Sequence, residues 1–145
     1  MRYLNTLRIS VIVFSFLFCG THLKAQEETL TIESYYKIKW SYAAEFISLW
    51  KKNHYPLMKK AQEKGDILSI TAEKPILHSG EDTRWDFKVT IVYKNAANGL
   101  DHGITDQYKK QLYPDLEKLA KEEKHRFELV LAHWDFMTEK IDLTK

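Results

Sequence analysis

Across residues 30–39 apolar and polar side chains alternate. Leu30, Ile32, Tyr36 and Ile38 point one way, and Thr31, Glu33, Tyr35, Lys37 and Lys39 the other. A period of two marks a strand with one buried face. The period then changes. Ala43, Phe46, Ile47, Trp50, His54, Leu57, Met58 and Ala61 recur at spacings of three and four. That gathers them on one face of a helix and leaves Lys51, Lys52, Lys59, Lys60 and Glu63 outside. Ser41 stands where an N-cap oxygen would satisfy free amides, and Lys64-Gly65-Asp66 ends the helix.

Residues 67–74 predict a second strand, stopped by Pro75, and 84–93 a third, with Trp85, Phe87, Val89, Ile91 and Tyr93 on one face. Asn98-Gly99 marks a loop. Ile104, Tyr108, Leu112, Leu116, Leu119 and Ala120 then form the stripe of a second helix that ends near His125. In a fourth strand Phe127, Leu129, Leu131 and His133 alternate with Glu128, Val130, Ala132 and Trp134. The order is βαββαβ. Two βαβ halves with right-handed crossovers predict an α+β, ferredoxin-like fold: an antiparallel four-stranded sheet of order 4-1-3-2, with both helices on one face. The other face carries Tyr35, Val92, Val130, Ala132 and Trp134 among charged residues. It is too apolar to face water, and pairing two such sheets as a homodimer would cover it.

The chain also echoes itself. Trp50-Lys51-Lys52-Asn53-His54-Tyr55-Pro56 returns as Tyr108-Lys109-Lys110-Gln111-Leu112-Tyr113-Pro114, and Tyr35-Tyr36-Lys37 returns as Val92-Tyr93-Lys94. A strand and its following helix read as a duplicated unit. Pro56 and Pro114 each remove an amide donor, so both helices are expected to bend at equivalent places. On the apolar face the copies differ in kind at one position, His54 against Leu112. Since leucine suffices for packing there, the histidine is the first candidate for a site.

Composition changes the picture mainly at the N-terminus. Arg2 and Arg8 precede an apolar run at 9–18, and Leu23-Lys24-Ala25 offers a small residue for cleavage, so residues 1–25 read as an export signal. The run is shorter than the roughly 20 apolar residues a bilayer span requires, and no stable membrane span is expected after cleavage. Phe18 before Cys19 is too bulky for a lipoprotein signal. Residues 1–25 hold three of the 22 basic residues and no acid, which leaves 19 bases against 20 acids. The apparent basicity therefore belongs to the signal, and no nucleic-acid partner is expected. Cysteine also vanishes, so one disulfide-free domain at 26–145, periplasmic or secreted, must be held by its core.

The element order and the phrases Asn53-His54-Tyr55-Pro56, Arg84-Trp85-Asp86 and Ala132-His133-Trp134-Asp135 resemble the dimeric α+β barrel superfamily. The likeness extends to its uncharacterised exported bacterial members and, more distantly, to antibiotic-biosynthesis monooxygenase-like and EthD-like families. The resemblance implies a homodimeric barrel. Haem-degrading members carry an asparagine on the first strand and an axial histidine on the second helix. Here 30–39 contains no asparagine and Leu112 holds the second position, so haem chemistry is not expected.

Nucleophile elbow, phosphate loop, Rossmann fingerprint and zinc spacing are all missing, and neither cofactor nor metal is expected. Two function classes fit what remains. One is a module that binds a small apolar or aromatic molecule. The other is a cofactor-independent enzyme, monooxygenase- or isomerase-like, acting on an aromatic or polyketide-like substrate with His54 as acid or base and His133 as a second catalytic group. In both, Trp50 and Met58 flank His54 as walls. Arg84 and Trp85 could hold a planar or acidic ligand, and Tyr35, Lys88 and Trp134 would line a barrel interior. His54 equally suits a core histidine bonded to a carbonyl freed by Pro56, and Arg84 with Asp86 equally suits the closing of a hairpin. Tyr55 and Tyr113 recur in both copies and read as scaffold.

Overall fold

The computed structural model describes residues 28–77, 79–138, 141 and 143–144. The export signal expected at 1–25 lies outside them. The alternating segment forms β1 (Leu30–Ile38) at the middle of the sheet, paired with β3 (Phe87–Tyr93) on one side and β4 (Val130–Thr138) on the other. β2 (Ile67–Glu73) adds to the far side of β3, giving the order β2-β3-β1-β4 with every pair antiparallel. This is the expected 4-1-3-2 order read from the opposite edge, and it defines a ferredoxin-like α+β fold. Phe87, Val89, Ile91 and Tyr93 of β3 are buried while the residues between them are half-exposed, so period two sorts core from surface as expected. The core joins them to Tyr36, Ile38, Phe46, Leu57 and Ile67. Phe46 and Ile38 have no exposed surface.

The two prolines act differently. The first helix runs without a break, but in three parts: α1 (Ala43–Leu49), a π-turn (Trp50–His54) and α2 (Tyr55–Glu63). Pro56 has no N–H for the carbonyl of Lys52, four residues back. The helix widens just before it, and the Tyr55 amide reaches back five residues to Trp50. The Tyr113 hydroxyl then shares its proton between the carbonyls of Lys52 and Asn53, at 2.9 and 3.0 Å. The second helix breaks instead. α3 (Ala96–Leu100) and α4 (Asp106–Leu112) precede Tyr113, which is extended at φ −129°, as a residue before proline prefers. Asp115 then caps α5 (Leu116–Glu128) by accepting from the Lys118 amide at 2.9 Å. The expected pair of equivalent bends is thus one π-turn and one break.

Four further expectations are corrected. Ser41 does not cap α1; it takes a left-handed φ of 71°, and Tyr42 holds the cap position without a side-chain bond. Asn98-Gly99 lies inside α3, whose cap Asn95 accepts from the Asn98 amide at 2.9 Å. Gly99 is needed there, because a Cβ would stand 2.7 Å from Leu30 Cδ2 and 3.2 Å from Tyr93 Cδ2. Phe127 belongs to α5 and is exposed, and the register shift between Lys37 and Ile38 leaves Leu131 outside the core as well. Trp85 precedes β3 and packs edge-on against Tyr35 at 5.7 Å, on the face away from the helices.

Candidate functional site

The cavity of interest lies between the first helix and the sheet and measures about 450 Å³. Its floor comes from alternate residues of three strands, among them Tyr36 of β1, Val89 and Ile91 of β3, and His133 of β4. Trp50, His54 and Met58 line it from the first helix. Trp50 and His54 are the two ends of the π-turn, so the widening beside Pro56 shapes this wall. The short connection from α3 to α4 closes the remaining side with Asp101, His102 and Ile104.

Three histidines line this space, His102 from the α3–α4 connection and His54 and His133 from the helix and the sheet. His54 is half-buried, 5.7 Å from the Trp50 ring. Burial above all, then the charges of Arg126, Lys109 and His133, lower its pKa from 6.5 to about 4. At neutral pH only about one molecule in a thousand carries a protonated His54, so it offers one N–H and one lone pair rather than a charge. His133 stacks on Tyr36 with ring centres 4.3 Å apart and planes 8° from parallel. Its Nε2 lies 3.3 Å from Asp135 Oδ1, and the same oxygen accepts the Ser34 hydroxyl proton at 2.5 Å. Ser34, Asp135 and His133 thus form one chain along the cavity wall, in which the carboxylate orients the imidazole.

Four residues singled out in the sequence, Trp50, His54, Met58 and His133, therefore surround one cavity. The other five lie elsewhere. Tyr35 stacks on Trp134 at 5.8 Å and meets Phe136 edge-on at 5.9 Å, all on the sheet face opposite the helices. Lys88 on that face is held by Glu73 and lies 3.9 Å from Glu33. Arg84 is 3% exposed and spends its guanidinium on structure. Nε donates to Glu81 at 2.8 Å, Nη1 to Asp86, and Nη2 to the Ile38 carbonyl at 3.0 Å, while Trp40 stacks on it at 4.1 Å. Asp86 accepts the Ile38 amide at 2.7 Å. Arg84 and Asp86 therefore clasp the end of β1, and Trp85 between them is carried to the other face.

Sequence reasoning passed over Tyr36, Ser34, Asp135 and Arg126. Asp135 was within reach: two residues past His133 on a strand, it must share the same face. Arg126, 2% exposed, sits seven residues past Leu119 and so continues the apolar stripe of the second helix. Among the described residues no group of three His, Cys, Asp or Glu side chains could hold a metal ion, and no helix is long and apolar enough to cross a membrane.

No protein-family model and no curated protein matches the chain. Among solved structures it superposes on a Bordetella bronchiseptica protein provisionally named an antibiotic biosynthesis monooxygenase. The TM-score is 0.52 and the identity 9%, over 79% of this chain and 99% of that one. A NIPSNAP family protein from Agrobacterium tumefaciens gives 0.48 at 10% identity, over 81% and 90% of the two chains. A variant of SnoaB, a cofactor-independent oxygenase from Streptomyces nogalater, gives 0.44 at 11%, over 81% and 99%. Identities this low speak for the fold alone, and the Bordetella match agrees with the strand order in showing a ferredoxin-like α+β fold.

Proposed function

We propose that this is an exported protein that binds a small apolar or aromatic molecule in the cavity between the first helix and the sheet, and that it works as a homodimer. The carrying observation is the cavity itself: about 450 Å³ with Trp50, Met58, Val89 and Ile91 as walls and the imidazoles of His54 and His133 among its polar contacts. A few placed polar groups in a mostly apolar concavity are what fix a ligand's orientation. The lowered pKa of His54 suits a neutral hydrogen-bonding contact better than a proton carrier. Export is supported by the leader-like sequence at 1–25, and pairing by the aromatic outer face of the sheet.

A second reading is a cofactor-independent enzyme, and the observation favouring it is the ordered Ser34–Asp135–His133 chain. In that reading His133 is the better base, because Asp135 orients it, whereas His54 is held neutral. Native mass spectrometry of the purified protein, followed by NMR titration of the imidazoles with any copurified molecule, tests both. Bound ligand is expected to move the His54 and His133 signals together. Ligand that moves neither removes the cavity as the site, and a molecule converted on incubation selects the enzymatic reading.

A further inference from the structure

Two hydrogen-bond donors of the cavity lining, from Trp50 and Tyr36, stand near a buried positive charge. The indole Nε1 of Trp50, a residue 2% exposed that lines the cavity, is buried and makes no hydrogen bond. Tyr36 beside it feels that N–H, yet no aligned bond joins them. Burial pushes the Tyr36 phenol up to about 12, so it keeps its proton. Near Tyr36, outside the cavity lining, is Arg126. It is 2% exposed, its Nε is unbonded, and among the described residues no carboxylate comes within ion-pair distance. It lies over ring faces, 5.6 Å from Phe46 and 4.5 Å from Phe127. Its charge reaches Tyr36 and is the second cause of the lowered pKa of His54. Burial disfavours the charged guanidinium and Glu123 offsets that only in part; a buried charge without a close ion pair costs several kcal/mol, and an unbonded buried N–H about 1–3. One acceptor carrying negative charge would answer both.

We propose that the natural ligand bears an acidic oxygen, a carboxylate, phenolate or enolate, which seats against the Trp50 indole N–H and the Tyr36 hydroxyl with the Arg126 charge behind it. This rests on the reading of the cavity as a ligand site and adds the ligand's charge. Of the two acids on the cavity wall, Asp135 opposes Arg126 at Tyr36 but acts there less strongly. Asp135 is held by Ser34 and His133 and its side chain is 51% exposed, and Asp101 is held by the Gly103 amide. The ligand's apolar body then lies over Val89, Ile91 and Met58, with His54 as a neutral side contact.

Calorimetric titration of the full chain with matched pairs, benzoate and benzamide, 2-naphthoate and 2-naphthamide, 9-anthroate and its amide, tests this. The expected result is that at least one acid binds tenfold or more tightly than its amide. Arg126→Met should bring that ratio close to one, and Arg126→Lys should keep most of it. Trp50→Phe, which removes the N–H and keeps an aromatic wall, should weaken the acid about tenfold more than the amide and serves if Arg126→Met does not fold. Equal binding of acid and amide overturns the acidic-oxygen inference alone, as does a preference that survives both substitutions. Failure of every pair to bind overturns it together with the cavity as a ligand site.

Discussion

His54 shows how one side chain's environment decides what it can do. An unfolded histidine takes up its proton near 6.5, whereas in the folded chain burial and the charges of Arg126 on α5, Lys109 on α4 and His133 on β4 delay protonation until about 4. Between those values the unfolded chain holds more protons, so stability falls as pH falls and the loss is complete below about 4. The difference corresponds to about 3 kcal/mol. Urea denaturation of the wild type and of His54→Leu at pH 7, 5.5 and 4 should show a flatter profile for the variant by roughly that amount. Parallel profiles would mean that His54 is protonated as easily in the fold as outside it. The sequence pointed to this residue because its copy, Leu112, packs without a polar atom. It did not point to Arg126, since a charged residue late in a helix reads as surface, and only the tertiary packing of α5 over Phe46 buries it.

At the scale of elements, strand periodicity carried most of the information. Period two is clear in β3, whose alternate residues are buried, and at the end of β1, where Tyr36 and Ile38 are buried on either side of Lys37. The helices were less legible, because a proline states which hydrogen bond is lost and not what replaces it. Beside Pro56 the replacement comes from Tyr113, 61 residues from Lys52, so the π-turn that shapes the cavity wall depends on the break in the other helix. Tyr113→Phe strands the Lys52 carbonyl and is expected to cost about 1–2 kcal/mol, measured by chemical denaturation. It should also loosen the π-turn, seen as faster amide exchange at Tyr55. Unchanged stability would show that water serves that carbonyl equally well. The clasp before β3 was half legible: Arg84 and Asp86 were read either as ligand contacts or as a closing pair, and the bonds to Ile38 make them a closing pair. Arg84→Met leaves Asp86 without its cation and is expected to cost about 3 kcal/mol or more, with ligand binding in the cavity unaltered in any variant that remains folded.

At the scale of the whole molecule the sheet is lopsided. One face is covered by helices. The other presents Tyr35, Trp85 and Trp134 as a joined ring cluster, with Phe136 against it at 54% exposure. Charged neighbours on that face satisfy one another: the Tyr35 hydroxyl donates to Glu33 at 2.9 Å, and Lys88 is bound by Glu73. A surface whose charges are already paired and whose aromatics are not covered loses little by leaving water, which is the condition for burying it against a second copy. The pairing proposed above therefore predicts a dimer at micromolar concentration by light scattering. Phe136→Glu places an unpaired carboxylate at the centre of that contact and should shift the equilibrium to monomer while leaving the far-ultraviolet circular dichroism of the protomer unchanged. Because the cavity lies on the opposite face, the monomeric variant should still bind whatever the wild type binds there. A wild type that is monomeric at tens of micromolar, or a Phe136→Glu variant that stays dimeric, would place the contact elsewhere or remove it, without touching the fold of the single chain.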